Sequence, residues 1–312
     1  MSFLTLYWKR KYLKEGFMSP AQEELPVQKT SRALSLSHPA IFFSLFLLLV
    51  VLGTVGYIFL SPQGREPTEE KESHPHVDRI LASGKIVIGT DATYAPMEFT
   101  DDTTGELKGY DIDLGNKIAE ELGVDAEFKN IPWSELGMDP PITSTTSALL
   151  RNEVDVVISS VTITDERKQT YDFSQPYINA GQVIVTKKDN SSISSTADLK
   201  GKKIAVQKGT TNEEQALIYT DSDLVLLYEN FDDATEALLT GKADAIFTDL
   251  TNAKGTIDEY KDLKIASDPF TSEFYGVVFR KGETDLVQSV NEVLNLLRQR
   301  GVEVFLKQKW LE

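Results

Sequence analysis

The chain has 312 residues, 41% of them hydrophobic, and its 32 basic and 48 acidic residues give a net charge of −16. This length is enough for two ordinary domains with buried cores, and the hydrophobic share excludes a disordered chain. The sequence has no cysteine, which excludes disulfides, thiolate metal sites, cysteine nucleophiles and lipid anchors attached to cysteine.

Histidine occurs only in the first quarter of the chain, at His38, His74 and His76. Residues 77–312 therefore cannot form a Ser-His-Asp triad, a Cys-His pair or a histidine-ligated zinc site. Chemistry based on carboxylates, hydroxyls or lysine stays open. We predict no metal and no cofactor, and we interpret His74 and His76 as solvated linker residues.

Charge is unevenly distributed along the sequence. Residues 1–38 carry six bases and three acids, a net charge of +3, which leaves −19 for the remainder. A body this acidic repels phosphate backbones, so nucleic acid is not predicted as a partner.

Residues 40–60 form a run of 21 residues without a charge, AIFFSLFLLLVVLGTVGYIFL. A helix of about 20 residues spans a hydrocarbon core of roughly 30 Å. We therefore predict a single transmembrane anchor at 39–60, a basic cytoplasmic leader at 1–38, and an acidic body on the extracytoplasmic side of the cell membrane. A cleaved secretory signal is the alternative, but its apolar stretch is usually only about 7 to 15 residues long.

The segment 61–76 is rich in proline, glutamate and serine and is predicted to be a flexible linker. From residue 77 onward, β-rich runs alternate with amphipathic helical stretches, which is the pattern of an α/β fold. The predicted strands are KIVIGT, VDVVIS (154–159), KKIAVQ, ADAIFT and FYGVVFRK, and the predicted helices include DIDLGNKIAEELG (111–123), LVQSVNEVLNLLRQR and VEVFLKQKW.

Two stretches of this body recur later in the chain with similar residues. ALLRNEVDVVISS at 148–160 matches ALLTGKADAIFTD at 237–249, and KIVIGTDATYAP at 85–96 matches KIAVQKGTTNEE at 203–214. We infer two lobes of like topology. Because ligands bind beyond the carboxyl ends of strands in open α/β sheets, the polar clusters that follow four strands are predicted to line one cleft. These clusters are 91–94, 159–162, 209–211 and 248–249.

Six stretches carry a resemblance to a known family: IGTDATYAPMEF, GELKGYDIDLGNKIAEELG, SSVTITDERKQTYDFSQPY, DLKGKKIAVQKGTT, KADAIFTD and LLRQRGVEVFLKQKW. On these motifs, residues 77–312 resemble the type II periplasmic binding proteins of ABC importers, in the polar amino acid family (bacterial extracellular solute-binding proteins, family 3). The resemblance implies a two-lobed α/β fold with two crossover strands, closing on its ligand. Lobe 1 would comprise 77–181 and 272–312, and lobe 2 would comprise 182–271.

The resemblance also assigns ligand-binding roles. Arg167 would pair with the α-carboxylate of an amino acid, since a guanidinium donates two parallel hydrogen bonds to a carboxylate. Asp249 would bind the α-ammonium group. Tyr94 and Trp133 would sandwich the ligand side chain, and Asp91 would approach its polar end. Further hydrogen bonds to the carboxylate are expected from Ser160, Thr162 and Thr211, with Ser159 and Thr210 beside them.

The chain departs from the family pattern between Leu136 and Ser147. There GMDPPITSTTS replaces a short connection, and Pro140, Pro141 and the Ser/Thr tract predict a loop near the mouth of the cleft. The preference for a particular ligand side chain is therefore the property that the resemblance transfers least.

Together these features predict a membrane-anchored receptor that binds a polar or basic free amino acid outside the cell. It would deliver the ligand to the permease subunits of an ABC importer, with the ATPase on another chain because no G-x-x-x-x-G-K-[ST] motif is present. With no cysteine for a lipid, residues 40–60 are the expected tether to the bilayer. We do not expect an enzyme.

Two alternatives to this receptor stay open. One is a ligand-sensing module for a separate signalling partner, because the same fold serves that role. The other is a carboxylate-dependent enzyme on the same scaffold, such as a dehydratase. The sequence disfavours the enzyme because no paired carboxylates are evident among the four clusters after the strands.

Overall fold

The computed structural model describes residues 74–312. The leader predicted at 1–38, the anchor predicted at 39–60 and most of the linker predicted at 61–76 lie outside these residues and stay predictions. In the part of the chain from 74 to 312, no helix combines the length and the apolar character that crossing a membrane requires.

The first half of the described chain contains α1 (Pro75–Ser83), β1 (Lys85–Thr90), β2 (Thr93–Tyr94), β3 (Glu98–Thr100), β4 (Leu107–Lys108), α2 (Tyr110–Leu122), β5 (Asp125–Asn130), α3 (Trp133–Leu136), β6 (Val156–Val157), α4 (Arg167–Thr170), β7 (Tyr171–Phe173) and β8 (Ile178–Asn179). The second half contains β9 (Gln182–Lys187), β10 (Ile204–Gln207), α5 (Thr211–Tyr219), β11 (Val225–Tyr228), α6 (Phe231–Leu239), β12 (Ala245–Asp249), α7 (Leu250–Glu259), β13 (Leu263–Ile265), β14 (Phe274–Tyr275), β15 (Val278–Arg280), α8 (Thr284–Gln299) and α9 (Val302–Trp310).

Each lobe is built on a five-stranded sheet, in the order β5-β1-β6-β15-β7 for the first and β11-β10-β12-β9-β13 for the second. The central strand β1 lies parallel to β5 and β6, and β10 lies parallel to β11 and β12. The strands β15 and β9 then join each sheet in the antiparallel direction. The repeated sequences therefore occupy equivalent places, since β1 matches β10 and β6 matches β12. The prediction of two lobes with like topology is confirmed.

A short antiparallel pair joins the lobes. The chain leaves the first sheet through β8 and returns through β14, and these strands pair with each other. This pair provides the two crossing strands that the resemblance implies. The residue numbers at which one lobe gives way to the other stay a prediction.

The predicted strand at 154–159 is shorter than expected, because only Val156–Val157 keeps the strand pairing. Before it, the side chain of Asp155 replaces a main-chain partner by accepting a hydrogen bond from the Val87 N–H at 2.9 Å. Asp155 also accepts a hydrogen bond from Arg79. The stretch after Val157 leaves the sheet and enters the wall of the cleft.

The predicted strand FYGVVFRK is divided at Gly276 into β14 and β15. A Cβ atom on Gly276 would lie 2.9 Å from the side chain of Ile163. A larger residue there would force the Ile163 side chain to shift where the chain turns from the connecting pair into the first sheet.

The last residues of the predicted linker belong to the folded body. The helix α1 begins at Pro75, and the main-chain N–H of His76 donates to Asp285 of α8 at 2.9 Å. The imidazole of His76 contacts the same carboxylate. The expectation of a solvated histidine in a flexible segment is therefore wrong for His76, because Asp285 holds both its main chain and its ring.

Apolar residues cover both faces of the second sheet. Along β9, Val183 and Val185 pack into one hydrophobic cluster, while Ile184 packs into another on the opposite face. In the first lobe, Trp133 and Met138 belong to one buried cluster with Tyr171. This packing fixes the segment that carries one wall of the cleft.

Candidate functional site

The carboxyl ends of β1, β6, β10 and β12 meet around one cavity between the lobes. All ten residues predicted to bind a ligand line it, namely Asp91, Tyr94, Trp133, Ser159, Ser160, Thr162, Arg167, Thr210, Thr211 and Asp249. The structure thus brings the four predicted clusters together, whereas the ligand-binding roles stay predictions. Three residues that the sequence did not single out also line the cavity: Glu98, Gln207 and Asn212.

Arg167 places a buried cation in the wall of the cavity, with only 4% of the residue exposed. Its Nε donates to the carbonyl of Met138 at 2.9 Å, and its Nη1 donates to the carbonyl of Thr162 at 2.9 Å. The guanidinium also lies 5.4 Å from the centre of the Trp133 ring. Within residues 74–312 no carboxylate forms an ion pair with it. Burial lowers the pKa of Arg167 because it disfavours the charged form, so an anion in the cavity would be stabilising.

The loop predicted between Leu136 and Ser147 helps to position this arginine. Met138, which supplies the carbonyl for Arg167, is fully buried, and no helix or strand forms between residues 137 and 147. The loop also touches the second lobe, since a Cβ atom on Gly209 would lie 2.6 Å from the Cβ of Asp139. The predicted loop is therefore present at the cleft, where it contacts both lobes.

Glu273, which the sequence did not predict, holds hydroxyl groups from both lobes. Thr162 and Thr211 donate to its Oε2 at 2.8 and 2.9 Å, and Gln182 donates to its Oε1 at 2.6 Å. The sequence predicted that the hydroxyl groups of Thr162 and Thr211 would donate to a ligand carboxylate. In the structure both donate to Glu273. The first main-chain N–H groups of α5, beginning at Thr211, have no partner within that helix and are better placed to serve an anion.

Asp249 provides a buried carboxylate at the end of β12, with 4% of the residue exposed. Its Oδ1 accepts from Asn212 Nδ2 at 3.2 Å, and its Oδ2 accepts from the hydroxyl of Tyr275. Burial, and then the negative charge of Glu273, raise the pKa of Asp249 to about 7. A cation beside it would therefore favour the ionised carboxylate.

Both carboxylate oxygens of Asp91 already accept hydrogen bonds from the protein. Its Oδ2 accepts from the Trp133 N–H at 3.2 Å and from Gln207 Nε2 at 3.0 Å, and its Oδ1 accepts from the Thr93 hydroxyl at 3.2 Å. Burial raises the pKa of Asp91. Because Gln207 belongs to the second lobe, Asp91 already contributes to contact between the lobes, and a ligand would share this carboxylate with Gln207 or displace it.

The two predicted aromatic residues also reach the second lobe. The indole Nε1 of Trp133 donates to the carbonyl of Gly209 at 2.9 Å. The Tyr94 hydroxyl lies 3.0 Å from Thr248 Oγ1, and its ring packs edge-on against Phe231 with the centroids 5.3 Å apart. These contacts hold the lobes together. The expected stacking of a ligand between the two rings stays a prediction.

Two carboxyl groups are paired at the wall of the cavity, outside the four clusters in which the sequence showed no such pair. Glu98 of β3 and Asp111 of α2 are 1% and 0% exposed. Ser160 links them, since its Oγ donates to Glu98 at 3.0 Å and its main-chain N–H donates to Asp111 at 2.7 Å. Neither acid belongs to the four clusters that the sequence indicated, which is why the pair was missed.

Known proteins share this architecture. The family model described as bacterial extracellular solute-binding proteins, family 3, matches residues 86–312. The chain is 33% identical over 236 residues to the L-cystine-binding protein TcyJ of Escherichia coli (strain K12), covering 75% of this chain and 85% of that protein.

Two solved structures are also similar. An ancestral arginine-binding protein bound to arginine is 38% identical with a TM-score of 0.67, over 73% of this chain and 99% of that one. The ancestral amino acid-binding protein AncCDT-1, described as a precursor of cyclohexadienyl dehydratase, is 36% identical with a TM-score of 0.66, over 76% and 99%. The chain therefore belongs to the bacterial extracellular solute-binding proteins of family 3 and has their two-lobed α/β fold.

Proposed function

We propose that this protein is an extracytoplasmic receptor that binds a free polar or basic amino acid and delivers it to the permease of an ABC importer. One observation carries the proposal: a buried guanidinium and a buried carboxylate line the same cavity, and neither forms an ion pair within residues 74–312. Arg167 belongs to the first lobe and Asp249 to the second. Unpaired buried charges are costly, and the α-carboxylate and α-ammonium of an amino acid would compensate both.

Lobe movement gives such a ligand access. The free space in the cavity is about 30 Å³, and roughly 10 to 15 Å³ is needed for one water molecule. An amino acid therefore enters only when the lobes separate. Opening would break hydrogen bonds across the cleft, among them those from Trp133 to Gly209, from Gln207 to Asp91 and from Asn252 to Ala95. A ligand that touches both lobes favours the closed state by its extra contacts.

The similar proteins support an amino-acid ligand. One is described as binding L-cystine and another is bound to arginine, and both ligands carry the two charged groups that the cavity would compensate. The transmembrane anchor at residues 40–60 and the permease partner are part of the same proposal. They rest on the uncharged run and on the family, respectively.

An amino-acid screen by thermal shift tests the binding function. The full chain would be heated with each of the twenty amino acids, cystine and ornithine. We expect a basic or polar member to raise the midpoint temperature, because a ligand at about 100 times its dissociation constant stabilises the folded state by about 2.7 kcal/mol. A screen in which no amino acid shifts the midpoint contradicts the proposal.

A carboxylate-dependent enzyme is the second candidate, and the Glu98–Asp111 pair is the observation that favours testing it. One similar structure is described as the precursor of a dehydratase. The ligand found in the screen would be incubated with the protein and recovered for mass spectrometry. We expect it unchanged, whereas loss of water or ammonia from it would identify an enzyme.

A contact between the lobes outside the cavity gives a further prediction. Gly255 in α7 packs on the Ala95–Pro96 turn, and a Cβ atom there would lie 2.7 Å from Pro96 Cδ. Glycine within a helix costs roughly 0.5 to 1 kcal/mol relative to alanine. Gly255→Ala should therefore raise the midpoint temperature of the open, ligand-free protein and weaken ligand affinity several-fold, because the added methyl group obstructs closure.

Melting curves on Gly255→Ala would check the expected rise in midpoint temperature, and calorimetry would check the expected loss of ligand affinity. The control is Asp258→Ala, which changes an exposed residue of the same helix whose ion pair is with Lys261 of the same lobe and should leave affinity unaltered. Equal affinity in the Gly255→Ala variant and the unmodified protein would show that this turn does not limit closure.

A further inference from the structure

The inference rests on the proposed function and concerns the carboxyl pair in the cavity wall. Glu98 lines the cavity, while Asp111 is fully buried. Glu98 accepts from the Ser159 hydroxyl at 3.1 Å and from the Ser160 hydroxyl at 3.0 Å. Asp111 accepts from the Ser160 N–H at 2.7 Å and from the Tyr177 hydroxyl at 2.9 Å. The protein has built a specific set of donors around two adjacent acids.

The hydrogen bonds around Glu98 and Asp111 leave one position at which the two acids can share a proton. Oδ1 of Asp111 is buried and receives no hydrogen bond from any hydroxyl or amide among residues 74–312. Ser160 Oγ lies 3.0 Å from Glu98 Oε2 and 3.4 Å from Asp111 Oδ2, so the two carboxyl groups are adjacent. Two buried carboxylates in contact do not both ionise readily, since like charges disfavour each other. A proton on Glu98, directed at Asp111, satisfies both groups.

Backbone strain in Ser160 shows that this arrangement is held in place. The residue has a φ of 49°, in the left-handed region that is unfavourable for serine. Strain of this kind persists where surrounding contacts enforce it. Here the enforcing contacts are the N–H donated to Asp111 and the hydroxyl donated to Glu98.

Acids and phenols surround the pair, and the cation Arg167 lines the same cavity as Glu98. Asp91 acts on Glu98 from the end of β1, Tyr94 from β2, and Tyr110 and Tyr177 act from α2 and the approach to β8. Burial raises the pKa of Glu98 well above its usual range, and burial raises that of Asp111 to about 6. Because the two carboxyl groups are buried and adjacent at Ser160, single protonation of the pair is favoured while the cavity is free of ligand.

We propose that Glu98 and Asp111 share one proton in the ligand-free protein and release it to solvent when a cationic ligand side chain enters the cavity. A neutral polar side chain meets the protonated pair and exchanges hydrogen bonds with Glu98. A basic side chain meets the deprotonated pair, and its ammonium or guanidinium replaces the proton charge for charge. The pair thus determines specificity by letting one cavity accept both neutral polar and basic amino acids.

Proton counting by calorimetry tests this. The full chain would be titrated at pH 7 with the tightest basic and the tightest neutral polar amino acid from the screen, in buffers of different ionisation enthalpy. We expect the basic ligand to release close to one proton more than the neutral ligand. The difference removes the contribution of Asp249, which faces the same α-ammonium group in both ligands, and the variants below separate the pair from Asp91, whose pKa burial also raises.

Two variants separate this proton exchange from a simple contact. Glu98→Gln should abolish the difference in proton release and weaken the basic ligand by more than about tenfold, with less than about threefold change for the neutral ligand. Asp111→Asn should remove the neighbouring charge, so that Glu98 is ionised beforehand. The difference in proton release then falls while the affinity for the basic ligand is kept. Melting curves confirm that each variant is folded.

The outcomes are distinguishable. Equal proton release for the two ligands in the unmodified protein overturns the inference and leaves the proposed function standing. A site that binds amino acids of only one of the two classes overturns it as well. Failure to bind any amino acid contradicts the proposed function itself.

Discussion

Replacing Arg167 with alanine is expected to weaken amino-acid binding by far more than about tenfold, since a buried charge-assisted contact is worth about 2 to 5 kcal/mol. The side chain is 4% exposed and has no carboxylate partner within residues 74–312, so a ligand carboxylate would be its counterion. Isothermal titration calorimetry with the amino acid found in the screen measures the loss.

Two further variants show what the arginine contributes. Arg167→Lys keeps the charge but not the planar pair of donors, so most of the affinity should still be lost. Lys168→Ala, the matched control, removes the neighbouring exposed cation, whose single ion pair within residues 74–312 is with Asp165 at 3.2 Å, and should bind normally. Unchanged affinity in Arg167→Ala would refute the assignment of the ligand carboxylate to this residue.

The sequence predicts those parts of the site whose residues lie close together along the chain. Each of the four clusters follows a buried strand, and the carboxyl ends of such strands meet at one edge of a sheet. Gln207 and Asn212 obey the same rule, because one ends β10 and the other lies in the first turn of α5. They were detectable from their positions beside Gly209–Thr211.

Other parts of the site depend on contacts between distant segments. Glu98 and Asp111 stand 13 positions apart, on a strand and a helix, and only the folded chain brings both to Ser160. Glu273 reaches Thr162 and Thr211 because the chain returns to the first lobe beside them. No periodicity or spacing in the sequence indicates such long-range contacts. The sequence therefore predicted the hydrogen-bond donors of the site more completely than its buried acids.

The charge state of Asp249 is expected to have the second large effect on ligand affinity. Its pKa of about 7 in the ligand-free cavity is raised chiefly by burial, and a ligand ammonium would lower it by favouring the carboxylate. Ligand therefore binds best when Asp249 is ionised, above pH 7, and a proton competes with it below. We expect affinity for a neutral polar amino acid to fall by up to about tenfold for each pH unit below 7.

The variant Asp249→Asn should lose this pH dependence because the amide does not titrate. At pH 8 it should also bind more weakly by about thirtyfold or more, since the α-ammonium would be buried without a counterion at a cost of about 2 to 5 kcal/mol. A neutral ligand is the right probe, because the Glu98–Asp111 pair is proposed to keep its proton when that ligand binds.

Asp232→Asn is the matched control for titration outside the cavity. Partial desolvation and the nearby acid Glu259 raise the pKa of Asp232 to about 6, but Asp232 is exposed at the surface and does not line the cavity, so this variant should keep the pH profile of the unmodified protein. A flat profile between pH 5 and pH 8 in the unmodified protein would mean that Asp249 does not face the ligand ammonium. A steep profile that survives in Asp249→Asn would assign the titration to another acid, with Asp91 the next candidate because burial also raises its pKa. Only the loss of the profile together with the loss of affinity places the ammonium group at Asp249.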